Sequence, residues 1–143
     1  MPSIRDFMAE SHRECDSLFA DVENAVSMGK WELAIGAWPV FLRDLIHHFE
    51  MEEKVLFPFF EKATGMASGP TVVMRLEHDQ MRSVSESLSA ALRLRDKNGF
   101  LGLAESMMVL LQQHNMKEEQ ILYPMTDRVA GDATTILEEM KNV

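Results

Sequence analysis

His48-Phe49-Glu50-Met51-Glu52-Glu53-Lys54-Val55-Leu56-Phe57-Pro58 and His114-Asn115-Met116-Lys117-Glu118-Glu119-Gln120-Ile121-Leu122-Tyr123-Pro124 spell one pattern twice. The pattern is His, three residues, two Glu, two residues, Leu, an aromatic residue and Pro. Positions 48 and 114, 52 and 118, and 58 and 124 are each 66 apart. Residues four apart share one face of a helix. Each copy therefore sends an imidazole and a carboxylate in the same direction, the arrangement a metal site inside a helical bundle requires.

Outward from these stretches, apolar residues recur at helical spacing. Ser3 with Asp6 predicts a capped helix start. Ile4, Phe7, Met8, Cys15, Leu18, Phe19, Val22 and Val26 form its stripe, with His12 inside it, and Ser27-Met28-Gly29 ends it. A second helix is expected from about Lys30 to about Glu61, with a kink or irregular turn at Pro39. Its inward face reads Phe41, Leu45, His48, Glu52, Leu56 and Phe59. Pro70 suits the first turn of a third helix, striped by Val73, Met74, His78, Met81, Val84, Leu88 and Leu92. After Lys97-Asn98-Gly99 a fourth helix carries Leu103, Met107, Leu110, Leu111, His114, Glu118, Ile121 and Leu122. Asp132 is placed to cap a short last helix ending near Met140. No strand pattern is present. The expected fold is all-α: an up-down-up-down four-helix bundle with a short C-terminal helix, in a single domain over residues 1–143. The 66-residue offset also relates His12 to His78 and Met8 to Met74, as in a duplicated helical hairpin.

The composition is that of a soluble globular chain, with 46% hydrophobic and 26% charged residues. A net charge of −9 argues against nucleic acid and anionic membrane as partners. The lone Cys15 excludes an internal disulfide. No stretch has the length of a signal peptide or a membrane span, so a cytoplasmic location is expected. No protein partner is legible.

Four inward histidines, one per helix, thus stand with two inward glutamates: His12, His48, Glu52, His78, His114 and Glu118. Antiparallel neighbours bring them to one level of the bundle. Six buried ionisable groups at one level are costly without compensation, and divalent metal supplies it. The set exceeds the four ligands of a zinc site and suits two ions bridged by the carboxylates. Imidazole with carboxylate is typical of non-haem iron and also accommodates manganese or zinc. The remaining candidates read as ordinary structure. His47 falls on a polar face. Glu50, Glu53 and Glu119 turn away from the site, into solvent or ion pairs. Cys15 reads as a buried apolar thiol. Tyr123 admits a role as a radical or a hydrogen-bond donor near the site, but Phe57 at the equivalent position favours packing.

His12, His48-Phe49-x-x-Glu52-Glu53, Glu77-His78-Asp79 and His114-x-x-x-Glu118-Glu119 resemble the hemerythrin-like family, the HHE cation-binding domains, over about Ile4 to Pro124. The resemblance implies a four-helix bundle with two iron ions, oxo- or hydroxo-bridged. It assigns ligand roles to His12, His48, Glu52, His78, His114 and Glu118, with Glu52 and Glu118 as the bridging pair. The sequence departs from the oxygen carriers of that family. Arg82 stands where they have a second third-helix His, and Glu118 replaces their final Asp, which lies five residues after the last His. The expected function is a di-iron protein that binds or senses oxygen, nitric oxide or iron. The alternatives are an oxidoreductase acting on nitric oxide, peroxide or oxygen, an iron donor for iron–sulfur cluster repair, and a metal-stabilised structural bundle.

Overall fold

The computed structural model describes residues 2–143. Helix α1 (Ile4–Ser27) starts where the Ser3 hydroxyl accepts from the Asp6 amide at 3.0 Å. The Asp127 carboxylate takes the next free amides, from Ile4 at 2.8 Å and Arg5 at 3.1 Å, and so satisfies donors that have no partner within the helix. Gly29, at φ +71°, reverses the chain, a conformation that glycine adopts without a Cβ penalty.

Helix α2 (Trp31–Met51) runs through Pro39 as continuous α-helix, so the irregular turn, one of the two forms expected there, does not occur. Pro39 lies on the exposed face, where water can hydrate the Ile35 carbonyl that the ring leaves unpaired. Next to it Trp38 turns inward and donates to Ser89 Oγ at 2.8 Å. The irregularity comes later. A π-helical turn spans Glu52–Leu56, closed by the Phe57 amide on the Glu52 carbonyl, and α3 (Phe57–Thr64) follows. After α4 (Pro70–Arg93) and a turn capped by Asp96, α5 (Lys97–Lys117) repeats the device. A second π turn covers Glu118–Leu122 and leads into α6 (Tyr123–Ala130). Asp132 then accepts from the Thr134 amide at 3.0 Å, just ahead of α7 (Thr134–Lys141).

Each π turn inserts one residue relative to α-helical phase, and the buried face shifts accordingly. Phe60, not Phe59, is fully buried, and Tyr123 is buried while Ile121 is 55% exposed. The expected inward position of Ile121 is thereby corrected, while Phe59 is only partly buried, packed at the edge of the second core. Val73 is also exposed rather than in the core.

Helices α1 and α2 pack as one hairpin and α4 and α5 as another, with α1 against α5 and α2 against α4 closing the bundle. Two apolar cores result. One, built on Phe19, Phe41, Leu88 and Phe100, fills the end at the α1–α2 turn. The other, built on Ile4, Phe57, Phe60 and Tyr123, fills the opposite end and is covered by α7 through Ile136, Leu137 and Met140. The histidine level lies between them.

Candidate metal centre

His12 comes from the third turn of α1, His48 from the end of α2, His78 from α4 and His114 from the end of α5. Glu52 and Glu118 each open a π turn. All six are at most 4% exposed. Glu52 Oε1 lies 3.4 Å from His48 Nε2 and 3.0 Å from His78 Nε2. Glu118 Oε1 lies 3.2 Å from both His114 Nε2 and His12 Nε2. Each carboxylate thus joins the histidine of its own helix to one from the other hairpin. Two groups of potential metal ligands emerge, Glu52, His78, His114 and Glu118 in one and His12, His48 and Glu118 in the other. One donor atom per residue lies within 4.8 Å of the others in its group.

The outer ring nitrogens explain how the imidazoles are aimed. His12 Nδ1 donates to Glu119 at 2.7 Å, His78 Nδ1 to Glu53 at 2.6 Å and His114 Nδ1 to Glu77 at 2.8 Å. An ionised carboxylate only accepts, so Nδ1 carries a proton and Nε2 faces the interior, where it offers its lone pair once the ring is neutral. This is the usual support of a metal-binding histidine. Glu53 is in turn gripped by Arg82 at 2.8 and 3.0 Å, and Glu77 by Lys117. His48 differs: its Nδ1 meets the Ser11 hydroxyl at 2.9 Å. Glu53 and Glu119 therefore stay outside the ligand cluster, as expected, but they orient it. Ser11 carried no signal in the sequence, and the role of Glu77 was visible only as its place beside His78.

Tyr123 corrects the packing assignment. Its ring is buried, and its hydroxyl donates toward Glu52 Oε2 at 2.7 Å and Glu118 Oε1 at 2.9 Å, 3.3 Å from His12 Nε2. The π turn causes this, because positions five apart then share a face. His47 is exposed, as expected. Cys15 is buried, and burial together with Asp44 pushes its thiol up, out of the nucleophilic range.

The electrostatics are those of a site short of positive charge. Burial opposes ionisation of Glu118, yet His114 and His12 hold its carboxyl well below the usual range. Burial also opposes charging of His114, but Glu118, Glu52 and Glu77 outweigh it and raise its pKa to about 9. His48 goes the other way, down to about 3, because burial and the neighbouring imidazoles outweigh Glu52. Burial and then the two carboxylates keep Tyr123 protonated. Two buried atoms of the cluster, His114 Nε2 and Glu118 Oε2, have no hydrogen-bond partner, and the Nε2 atoms of His12 and His48 stand 3.0 Å apart. Converging lone pairs, two carboxylates and orphaned donor atoms fit a divalent metal and its ligand chemistry.

Arg82, four residues after His78, points to Glu53 and adds no fifth nitrogen to the cluster. Among the described residues no helix is long and apolar enough to cross a membrane. The family model of the hemerythrin HHE cation binding domain matches residues 3–126. Neither the curated proteins nor the solved structures give a match.

Proposed function

The chain belongs to the hemerythrin HHE cation-binding family, and on that premise we propose that it is a non-haem di-iron protein that binds a small ligand such as oxygen or nitric oxide. His12, His48, Glu52, His78, His114 and Glu118 are the residues that would hold the metal. The observation that carries this reading is the buried layer of four imidazoles facing two carboxylates, in two groups that share Glu118. Three of the rings are pinned from behind by carboxylates, so their inner nitrogens are committed to the interior. Iron ions bound there supply redox change and open coordination positions.

The chain's own groups define what such a site accepts. Phe49 stacks on His78 at 4.0 Å and Phe57 at 5.6 Å, walling that imidazole from water. Tyr123 holds a proton at its hydroxyl beside both carboxylates, within reach of a small molecule bound between them. That hydroxyl favours a second reading, an oxidoreductase acting on nitric oxide, peroxide or oxygen. Arg82, engaged with Glu53, leaves four rather than five histidines, which favours reaction over protected carriage.

Metal content and the absorption spectrum of the reduced protein, before and after oxygen, distinguish these readings. A band that forms with oxygen and vanishes on its removal supports ligand binding; irreversible oxidation with turnover of peroxide or nitric oxide supports the oxidoreductase. Replacing both bridging residues, Glu52→Ala with Glu118→Ala, should abolish binding of two ions, whereas His47→Ala should leave it intact. Protein from iron-replete cells that holds no iron, manganese or zinc would sink the proposal.

A further inference from the structure

The 66-residue offset makes the two halves of the centre comparable position by position, and they are unequal. His78 is sealed. Its ring is stacked by Phe49 and Phe57, and its partner Glu53 is gripped by Arg82. The groove between α2 and α4, lined by Phe49 and Arg82, stops at the Phe49 ring and does not include His78 in its wall. At the matching positions around His12, Asn115 replaces Phe49, Asp16 replaces Arg82 and Tyr123 replaces Phe57. There a polar cleft of about 300 Å³ between α1 and α5 has His12, Asp16, Asn115 and Glu119 in its wall. Arg5 and Arg13 also line it, but their guanidinium groups are paired with Asp6 and Glu10. The hydrogen-bond supports differ in the same sense. His114 is backed by Glu77 and Lys117, whereas His48, its counterpart, is backed only by the Ser11 hydroxyl. The sealed half also belongs to the four-residue ligand group, and the open half to the three-residue group.

We propose that the α1–α5 cleft is the route by which divalent metal enters and leaves, and that the His12–His48 position exchanges its ion faster than the sealed His78–His114 position. The inference rests on the two-metal reading above. Asp16 and Glu119 offer carboxylates on the approach to His12, so an incoming cation need not shed all its oxygen ligands before it meets the first imidazole. Hard and borderline divalent cations accept such oxygen ligands readily. The α2–α4 groove also carries carboxylates, Glu50 and Glu86, but a cation there would have to displace the buried Phe49 ring, which stacks on His78, before it reached that imidazole.

The test loads the protein with Co(II), confirms two ions per chain, then follows their release into excess chelator. Release in two phases is expected. Asn115→Phe, which copies the sealed half, should slow the faster phase by about tenfold, equivalent to ~1.4 kcal/mol of barrier, while two ions still bind. Asp16→Asn, an isosteric change at a half-buried cleft position outside the ligand cluster, should slow loading by a smaller factor. Phe49→Asn should accelerate the slower phase. Two ions that leave at one common rate, or release and loading rates indifferent to both Asn115→Phe and Asp16→Asn, would overturn the proposal while leaving the two-metal reading standing. A wild-type chain that binds no Co(II) overturns both.

Discussion

A single hydroxyl separates Tyr123 from Phe57, and it changes what the two halves can do. Tyr123 reaches both carboxylates of the centre, whereas Phe57 can only stack on His78. Hydrogen bonds to charged groups contribute about 1.5–3 kcal/mol each. Tyr123→Phe should therefore destabilise the metal-free protein by about that amount in chemical denaturation. The loss should shrink once metal engages the carboxylates, and metal should still bind. An equal loss with and without metal would show that the hydroxyl does not serve the centre. At this scale the six clustered residues were readable from helical spacing and the repeat. Tyr123 was readable only as the less favoured of two roles, because α-helical phase turns it away from Glu118 and Phe57 matches it in the repeat. Ser11 was not, because a serine on a helix carries no signal until the imbalance with Glu77 is seen.

The two π turns are the elements that set the geometry. Both start at a glutamate of the cluster and end just before an aromatic-Pro pair. Pro58 and Pro124 cannot donate to the preceding turn, which suits a stretch whose hydrogen bonds are already out of α-helical step. The extra residue moves the buried face, and this can be measured. Phe60→Ala should cost about 3–5 kcal/mol, as for a fully buried aromatic side chain, whereas Phe59→Ala should cost clearly less. Unbroken α-helix would give the opposite order, so equilibrium unfolding of the two variants decides it. Helix existence and the positions of the Ser3 and Pro70 starts were legible because caps and proline act locally. The π turns were not, since periodicity analysis assumes one constant phase, and the repeated Glu-Glu-x-x-Leu-aromatic-Pro ending was the only trace they left.

For the whole molecule, the polar layer between two apolar cores couples stability to protons when metal is removed. His114 has a raised folded pKa, about 9, and His12 is also raised despite its burial, chiefly by Glu118. Their contribution is complete below about pH 6.5 and is lost as pH rises through the folded values. His48 is depressed to about 3, so its burial weighs against folding progressively as pH falls below about 6.5, where only the unfolded chain takes up the proton. Glu118, held low, adds a loss below about pH 4.5. Metal-free protein should therefore be most stable near pH 6.5 and fall away on both sides. Loaded protein should gain relative stability toward higher pH, because metal requires neutral imidazoles. Thermal melts from about pH 4.5 to 9, with and without chelator, check this; a metal-free optimum at the alkaline end would contradict it.

The sequence by itself determined the all-α class, the helix order, the pairing of the two hairpins and which six side chains converge. Those follow from periodicity and local caps, which are properties of neighbouring residues, and from a repeat that is visible in the residue order alone. Tertiary structure decided the rest. It set which carboxylate stands behind which imidazole, that Tyr123 faces inward, and that the two matching grooves end differently, one at Phe49 and one at His12. These are contacts between residues 25 to more than 100 positions apart, and they depend on a one-residue shift in phase at Glu52 and Glu118. The opening His-x-x-x-Glu-Glu repeat predicts two like halves; the packing of unlike neighbours around them makes one half sealed and the other open.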